Sequence, residues 1–264
     1  MDFTIVICSG AWTLPELYNP LIEALAAKGH VAVCKAPPSY PHSPDDPPKI
    51  NPDADYLRNH VLNPLLDGGK DIVIFMHSYG GAYGPASLEG ISKKERKAKG
   101  LEGGVIASIF NTALVVPKDT TPLAALGLDP ENLPEWIDHD GSELVALKKE
   151  YAKALMFHDL PDEESERLAN MLPKQPLVCF ATPNHWDPFD DPYFQGTFGY
   201  IFTEADRLIP LEAQRGFAQR ASVEATHVLE GSSHSPHLER PGELADVVLG
   251  LVKTINDKKE NQQA

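Results

Sequence analysis

Cysteine is scarce in this chain. Cys8, Cys34 and Cys179 are the three in 264 residues, odd in number and far apart. That excludes a disulfide framework and offers no pair with the spacing of a metal cluster, so no metal is expected. Each lies in an apolar, strand-like stretch, which predicts buried free thiols in a reducing compartment. Long apolar runs are also missing: none approaches the ~20 residues that cross a bilayer, so no membrane role is expected. Positive charge is short as well, with 23 Lys and Arg against 38 Asp and Glu and a formal charge of −15. Such a surface repels phosphate backbones, which argues against nucleic-acid partners and says little about fold. Met1–Cys8 has no basic segment and no small-residue cleavage site, which with the free thiols predicts a cytoplasmic protein.

What the chain does have is apolar runs alternating with helical patterns. Phe3–Gly10 reads as a buried strand, and helical spacing follows at Leu14, Leu17, Tyr18, Leu21, Ile22, Leu25 and Ala26, stopping at Gly29. His30–Ala36 reads as a second strand, Pro37–Pro52 as a proline-rich loop, and Tyr56–Leu66 as a helix. Asp71–His77, Gly103–Ala113, Thr197–Thr203 and Thr226–Leu229 are further strands, and a last helix starts at Pro241. The polar end, Asp257–Ala264, is expected to fray. Apolar strands without polar alternation, each followed by a helix, predict an α/β fold with a mostly parallel central sheet flanked by helices. Between Pro117 and Pro176 the pattern is helical, notably Ser142–Met156 and Asp162–Leu172, with no convincing strand. We expect residues 1–116 and 177–264 to form the core and 117–176 a helical cap insertion, the alternative being ordinary surface helices.

Asp71-Ile-Val-Ile-Phe-Met-His-Ser-Tyr-Gly-Gly81 is the most informative stretch. A buried strand ends at a serine followed by two glycines, as when a strand turns sharply into a helix with the hydroxyl at the apex. Small residues allow helix and strand to pack closely there, and the helix start aims free N–H groups beside the hydroxyl. Ser78 is therefore the candidate nucleophile; taken alone, the segment also fits a helix N-cap serine.

A serine hydroxyl needs a base, and histidine serves at neutral pH. Gly231-Ser-Ser-His-Ser-Pro-His237 joins the last strand to the last helix, where α/β proteins build sites, so His234 is the candidate base and His237 a second choice. The imidazole needs an orienting carboxylate. Asp206 lies just past a strand end, with Glu204 the alternative; Asp190 and Asp191 follow no clear strand. Ser78, Asp206 and His234 fall after three different strands in the order this arrangement uses. For the oxyanion, the turn Cys8-Ser-Gly-Ala-Trp12 and the residue after the nucleophile offer the backbone N–H groups of Ala11 and Tyr79. A plain strand-to-helix turn is the alternative for the first.

Ser-Gly-Ala-Trp at 9–12, His-Ser-Tyr-Gly-Gly at 77–81, Asp-Arg-Leu-Ile-Pro at 206–210 and His-Ser-Pro-His-Leu-Glu-Arg-Pro at 234–241 together resemble the α/β-hydrolase superfamily. Beginning directly at the strand that bears the oxyanion turn, the chain is similar to the compact branch of plant methylesterases and hydroxynitrile lyases and to small microbial esterases. The resemblance implies ester hydrolysis through an acyl-enzyme, no cofactor and a helical cap. Two positions depart from the pattern: Met76 replaces the first elbow glycine, and Ser9 stands where histidine is common. Hydroxynitrile lyases carry a lysine after the catalytic histidine, whereas Ser235 and Pro236 follow His234 here. A ligand receptor, or a lyase or cyclase, on the same fold is the competing class.

Trp12, Trp136, Phe157 and Trp186 are the candidate substrate contacts, though each also suits a packing role. No basic cluster would hold a coenzyme A phosphate, so the expected partner is a small uncharged ester or lactone, taken by a monomer or homodimer.

Overall fold

A computed structural model describes residues 2–40, 48–49, 51–139 and 141–263, with side chains through 258. Of the proline-rich loop expected over 37–52, residues 41–47 and 50 lie outside the described residues. The strands are β1 (Thr4–Cys8), β2 (Val31–Cys34), β3 (Asp71–His77), β4 (Gly104–Asn111), β5 (Ile137–Asp138), β6 (Leu144–Leu147), β7 (Gln175–Pro176), β8 (Phe198–Thr203) and β9 (Ala225–Leu229). Six form one sheet in the order β2-β1-β3-β4-β8-β9, with every neighbouring pair parallel.

Successive side chains of a strand point to opposite faces, and here both faces are covered. Val6, Ile72, Ile74, Phe110 and Tyr200 pack on one side with helices after β2 and β3. Ile5, Ile7, Val73, Phe75, Ile109 and Ile201 pack on the other against Leu21 and Leu25 and against Leu244, Val248, Leu251 and Ile255 of the last helix. That helix spans Pro241–Gln263, so its final turns are helical where fraying was expected. The helix read over Tyr56–Leu66 runs from Asp53 to Asp67 and opens into a π turn at Leu57–Leu62. The wider turn precedes Pro64, which has no N–H to donate and whose ring would crowd an α-helical carbonyl.

Between β4 and β8 the chain leaves the sheet, and here the expectation needs correcting. It carries an antiparallel three-stranded sheet, β5-β6-β7, as well as the helices Lys149–Met156 and Asp162–Ala169. Ser142–Met156 is not one helix: Leu144–Leu147 is a strand. A four-residue apolar run fits either periodicity, and pairing on both sides decides it. Cys179 likewise lies in a short helix, Val178–Ala181, rather than a strand. Cys8 and Cys179 are buried, Cys34 is half-buried, and all three thiols are free.

Register brings Cys8 level with Met76, His77 with Asn111, Asn111 with Ile201 and Thr203 with Leu229. Five strands thus end along one sheet edge, and the loops leaving them are neighbours. Packing at this edge is backbone on backbone. A Cβ on Gly80 would lie 2.2 Å from the Cys8 carbonyl oxygen, and one on Gly81 would lie 2.0 Å from that of Leu114. Met76 is accommodated from the opposite direction: a Cβ on Gly84 would meet its Cγ and Sδ at 2.9 Å. The elbow thus keeps its tightness by taking the missing room from a different glycine. Gly81→Ala should destabilise the fold by about 2–3 kcal/mol or more, because the obstruction is backbone and cannot rotate away. Equilibrium urea unfolding of wild type and variant measures this.

Candidate active site

Backbone strain gathers at the C-terminal edge of the sheet. Trp12 (φ 56°), Ser78 (φ 53°) and Thr112 (φ 38°) are non-glycine residues in left-handed backbone, and each sits just past the end of β1, β3 or β4. Such strain persists only where surrounding packing imposes it. At Ser78 the Leu114 N–H and the Gly81 N–H both bond its carbonyl, at 3.0 Å each. The residue is buried, with 8% of its surface exposed, and it lines a cavity.

Asp206 follows β8 and is buried. Its Oδ1 accepts the N–H groups of Leu208 (2.8 Å) and Ile209 (3.0 Å). Its Oδ2 accepts the hydroxyls of Thr112 (2.5 Å) and Thr203 (3.1 Å) and faces His234 Nδ1 at 2.7 Å. Burial alone would raise the carboxyl pKa, but the attraction and hydrogen bond of His234, with those of Thr112 and Ile209, outweigh it and hold the pKa below the ordinary value. An ionised carboxylate only accepts, so His234 carries a proton on Nδ1, and in the neutral ring Nε2 is then the acceptor. Nε2 is buried and has no hydrogen-bond partner among the described residues, Ser78 included. The His234 loop is tied to the residue before Ser78: His77 bonds the His234 carbonyl at 2.8 Å, with the two rings 4.9 Å apart. Catalytic hydrogen bonds often close only when substrate arrives.

The alternatives separate clearly. Glu204 is exposed and accepts the Gly231 N–H at 3.0 Å, stapling a turn, while His237 stacks on Tyr18 and meets no carboxylate. Asp191 caps the Tyr193 N–H in its own loop. A Cβ on Gly10 would lie 3.1 Å from Ser78 Cβ, so the turn after β1 runs against the serine. The N–H groups of Ala11 and Tyr79 are free of hydrogen bonds among the described residues. Trp12 is pinned by its N–H to Gln175 Oε1 (3.3 Å) and its indole to the Val145 carbonyl (3.2 Å).

Ser78 opens into a cavity of about 180 Å³ whose walls include Ala11, Trp12, Tyr79, Leu126, Leu128, Trp136, Phe180 and Leu208–Pro210. Trp12 and Trp136 are among these walls. Phe157 and Trp186 are not: Phe157 is fully buried in the core, and Trp186 packs edge-on against Phe194 at 6.0 Å. Their aromatic character reflects packing. Phe180, Leu126 and Leu128 were missed because no periodicity relates them to the site; Ile209 and Pro210 could have been inferred from their closeness to Asp206.

Residues 5–247 match the model of the Alpha/beta hydrolase family. The chain belongs to that family. Among curated relatives it is similar to alpha/beta hydrolase nvfD of Aspergillus novofumigatus, 24% identical over 94% of each chain. Among solved structures it is similar to a mutant of polyneuridine aldehyde esterase (15% identity, TM-score 0.74, covering 95% of this chain and 99% of that one). It is also similar to a pyrethroid hydrolase from Sphingobium faniae (18%, TM-score 0.71, 96% and 98%).

Behind the histidine loop, Asp159 and Glu239 converge on one donor, the Ser233 N–H, at 2.8 and 3.4 Å. Burial and then Asp159 push the Glu239 carboxyl up to about 7, despite its ion pair with Arg240. A folded-state pKa above the unfolded one gives stability that is present at low pH and lost as pH rises through about 7. Glu239→Gln, which mimics the protonated acid, should match wild type near pH 5 and become progressively more stable than it towards pH 8. Paired melting curves across that range test the sign.

Proposed function

We propose that this chain is a serine hydrolase of small uncharged carboxylic esters, lactones included, working through an acyl-enzyme. The observation that carries the reading is the buried, fully braced Asp206–His234 pair, whose free Nε2 lies in the loop tied to the residue beside Ser78. Ser78 Oγ attacks the carbonyl carbon as His234 Nε2 takes its proton. Asp206 fixes the tautomer and stabilises the imidazolium that forms. Charge developing on the carbonyl oxygen is met by the N–H groups of Ala11 and Tyr79, whose lack of partners leaves them available for it. His234 then protonates the leaving alcohol. Water, deprotonated by the same nitrogen, releases the acid and restores the serine.

Apolar walls support an uncharged substrate: beyond the serine, the cavity presents indole, phenyl and aliphatic groups, with the Tyr79 hydroxyl turned away to Asp53 (2.9 Å). The net charge of −15 further disfavours anionic esters. We read 117–176 as a cap on this site, since Leu126, Leu128 and Trp136 wall the cavity and Val145 and Gln175 hold Trp12.

Ser78→Ala should abolish turnover of p-nitrophenyl acetate while leaving the circular dichroism spectrum intact. Asp206→Asn should lower kcat by about 10⁴-fold, whereas Glu204→Gln should leave it unchanged. Turnover retained in the serine variant removes the assignment. A burst that stalls without multiple turnover points to a ligand receptor, and products other than acid and alcohol to a lyase or cyclase.

A further inference from the structure

The reaction above makes no use of two buried rings beside it, Tyr18 and His77, neither of them exposed to solvent. They form an unbroken line of hydrogen bonds. The Gly10 N–H donates to Tyr18 Oη at 2.8 Å, Tyr18 Oη meets His77 Nδ1 at 2.7 Å, and His77 Nε2 meets the His234 carbonyl at 2.8 Å. A carbonyl can only accept, so the His77 proton sits on Nε2. Burial and then the neighbouring His234 hold the His77 pKa down to about 3, which keeps the ring neutral and Nδ1 an acceptor. The Tyr18 hydroxyl therefore donates to His77, and every bond in the line has one direction.

The ends of that line are the turn carrying Ala11, after β1, and the backbone of the base His234, after β9. In the sheet order these strands are separated by β3, β4 and β8, so no ladder joins them directly. His237 wedges the assembly, stacked on Tyr18 at 4.3 Å and tilted on His77 at 4.7 Å. Both its nitrogens are unpartnered, and burial, reinforced by His77 and His234, holds it neutral. It adds shape and no charge.

We propose that Tyr18 and His77 are positioning residues, a two-ring brace that holds the oxyanion turn and the base at one fixed separation. This rests on the hydrolase function proposed above. Neither residue lines the substrate cavity, so the brace acts on rate and not on binding. A displacement of about 1 Å at a reacting group is enough to cost on the order of 10²-fold.

The test is kcat and KM on a small p-nitrophenyl ester, with kcat expressed per serine titrated to completion by a fluorophosphonate, for wild type, Tyr18→Phe, His77→Leu and His77→Gln. A substitution that only weakens folding removes titratable sites without slowing those that remain. His77→Leu should slow each titrated site by roughly 10²-fold with KM nearly unchanged. His77→Gln, whose amide N–H can reach the His234 carbonyl, should recover most of that loss. Tyr18→Phe keeps the ring on His237 but frees the Gly10 N–H and His77 Nδ1, and should cost about tenfold; it carries the test if His77→Leu does not fold. Wild-type rates per titrated site in Tyr18→Phe and His77→Leu, or a rise in KM alone, overturn the brace and leave the hydrolase standing. A wild-type protein that multiply turns over no ester and takes no label at Ser78 overturns both.

Discussion

Contact between backbones at the serine turn is the constraint on which the rest of the structure depends. Gly80 lies against the end of β1 and Gly81 against the chain leaving β4, with no room for a side chain at either position. The helix after Ser78 is thereby locked between two neighbouring strand ends. Its closeness to β1 brings the Ala11 turn beside Ser78, and its contact with Leu114 fixes where the chain departs over the site. Strained backbone at Trp12, Ser78 and Thr112 follows from the same crowding. The strain is local, and a large two-faced core offsets it.

Much of this was legible in the residues. Buried parallel strands read as continuous apolar runs, so β1, β3, β4 and β8 fall within a residue or two of their expected limits, and β3 matches end for end. Because each such strand must be followed by a loop at the same edge, position alone placed Ser78, Asp206 and His234 at one edge, where Asp206 meets His234. What could not be read was whatever depends on partners distant in sequence. β5 and β7 are two residues long, too short for any period to register, and β6 became a strand only through its neighbours. Thr112 and Thr203, which hold Asp206, look like ordinary strand-end residues. Met76 departs from the elbow pattern, and the room it needs, at Gly84, belongs to the following helix.

The polar interior is organised around keeping charge rare. Asp206 keeps its negative charge in a buried site because hydroxyls, N–H groups and an imidazole surround it. The neighbouring histidines, His77 and His237, are held neutral by burial. One carboxylate facing one imidazole, with uncharged rings for company, keeps ionised groups few in surroundings where each charge weighs heavily.

Ile209 belongs to two structures at once. Its N–H secures the Asp206 carboxylate, and its side chain is part of the wall of the cavity beside Ser78. Reshaping the cavity at this residue therefore shifts the backbone that orients the acid. A substitution at position 209 would be felt at the hydrogen bonds that hold the acid, whereas Leu126, Leu128 and Trp136, which line the same cavity, hold no hydrogen bond to Asp206 among the described residues. A lineage adapting to new substrates would be expected to diversify on one side of the pocket and stay conservative on the other.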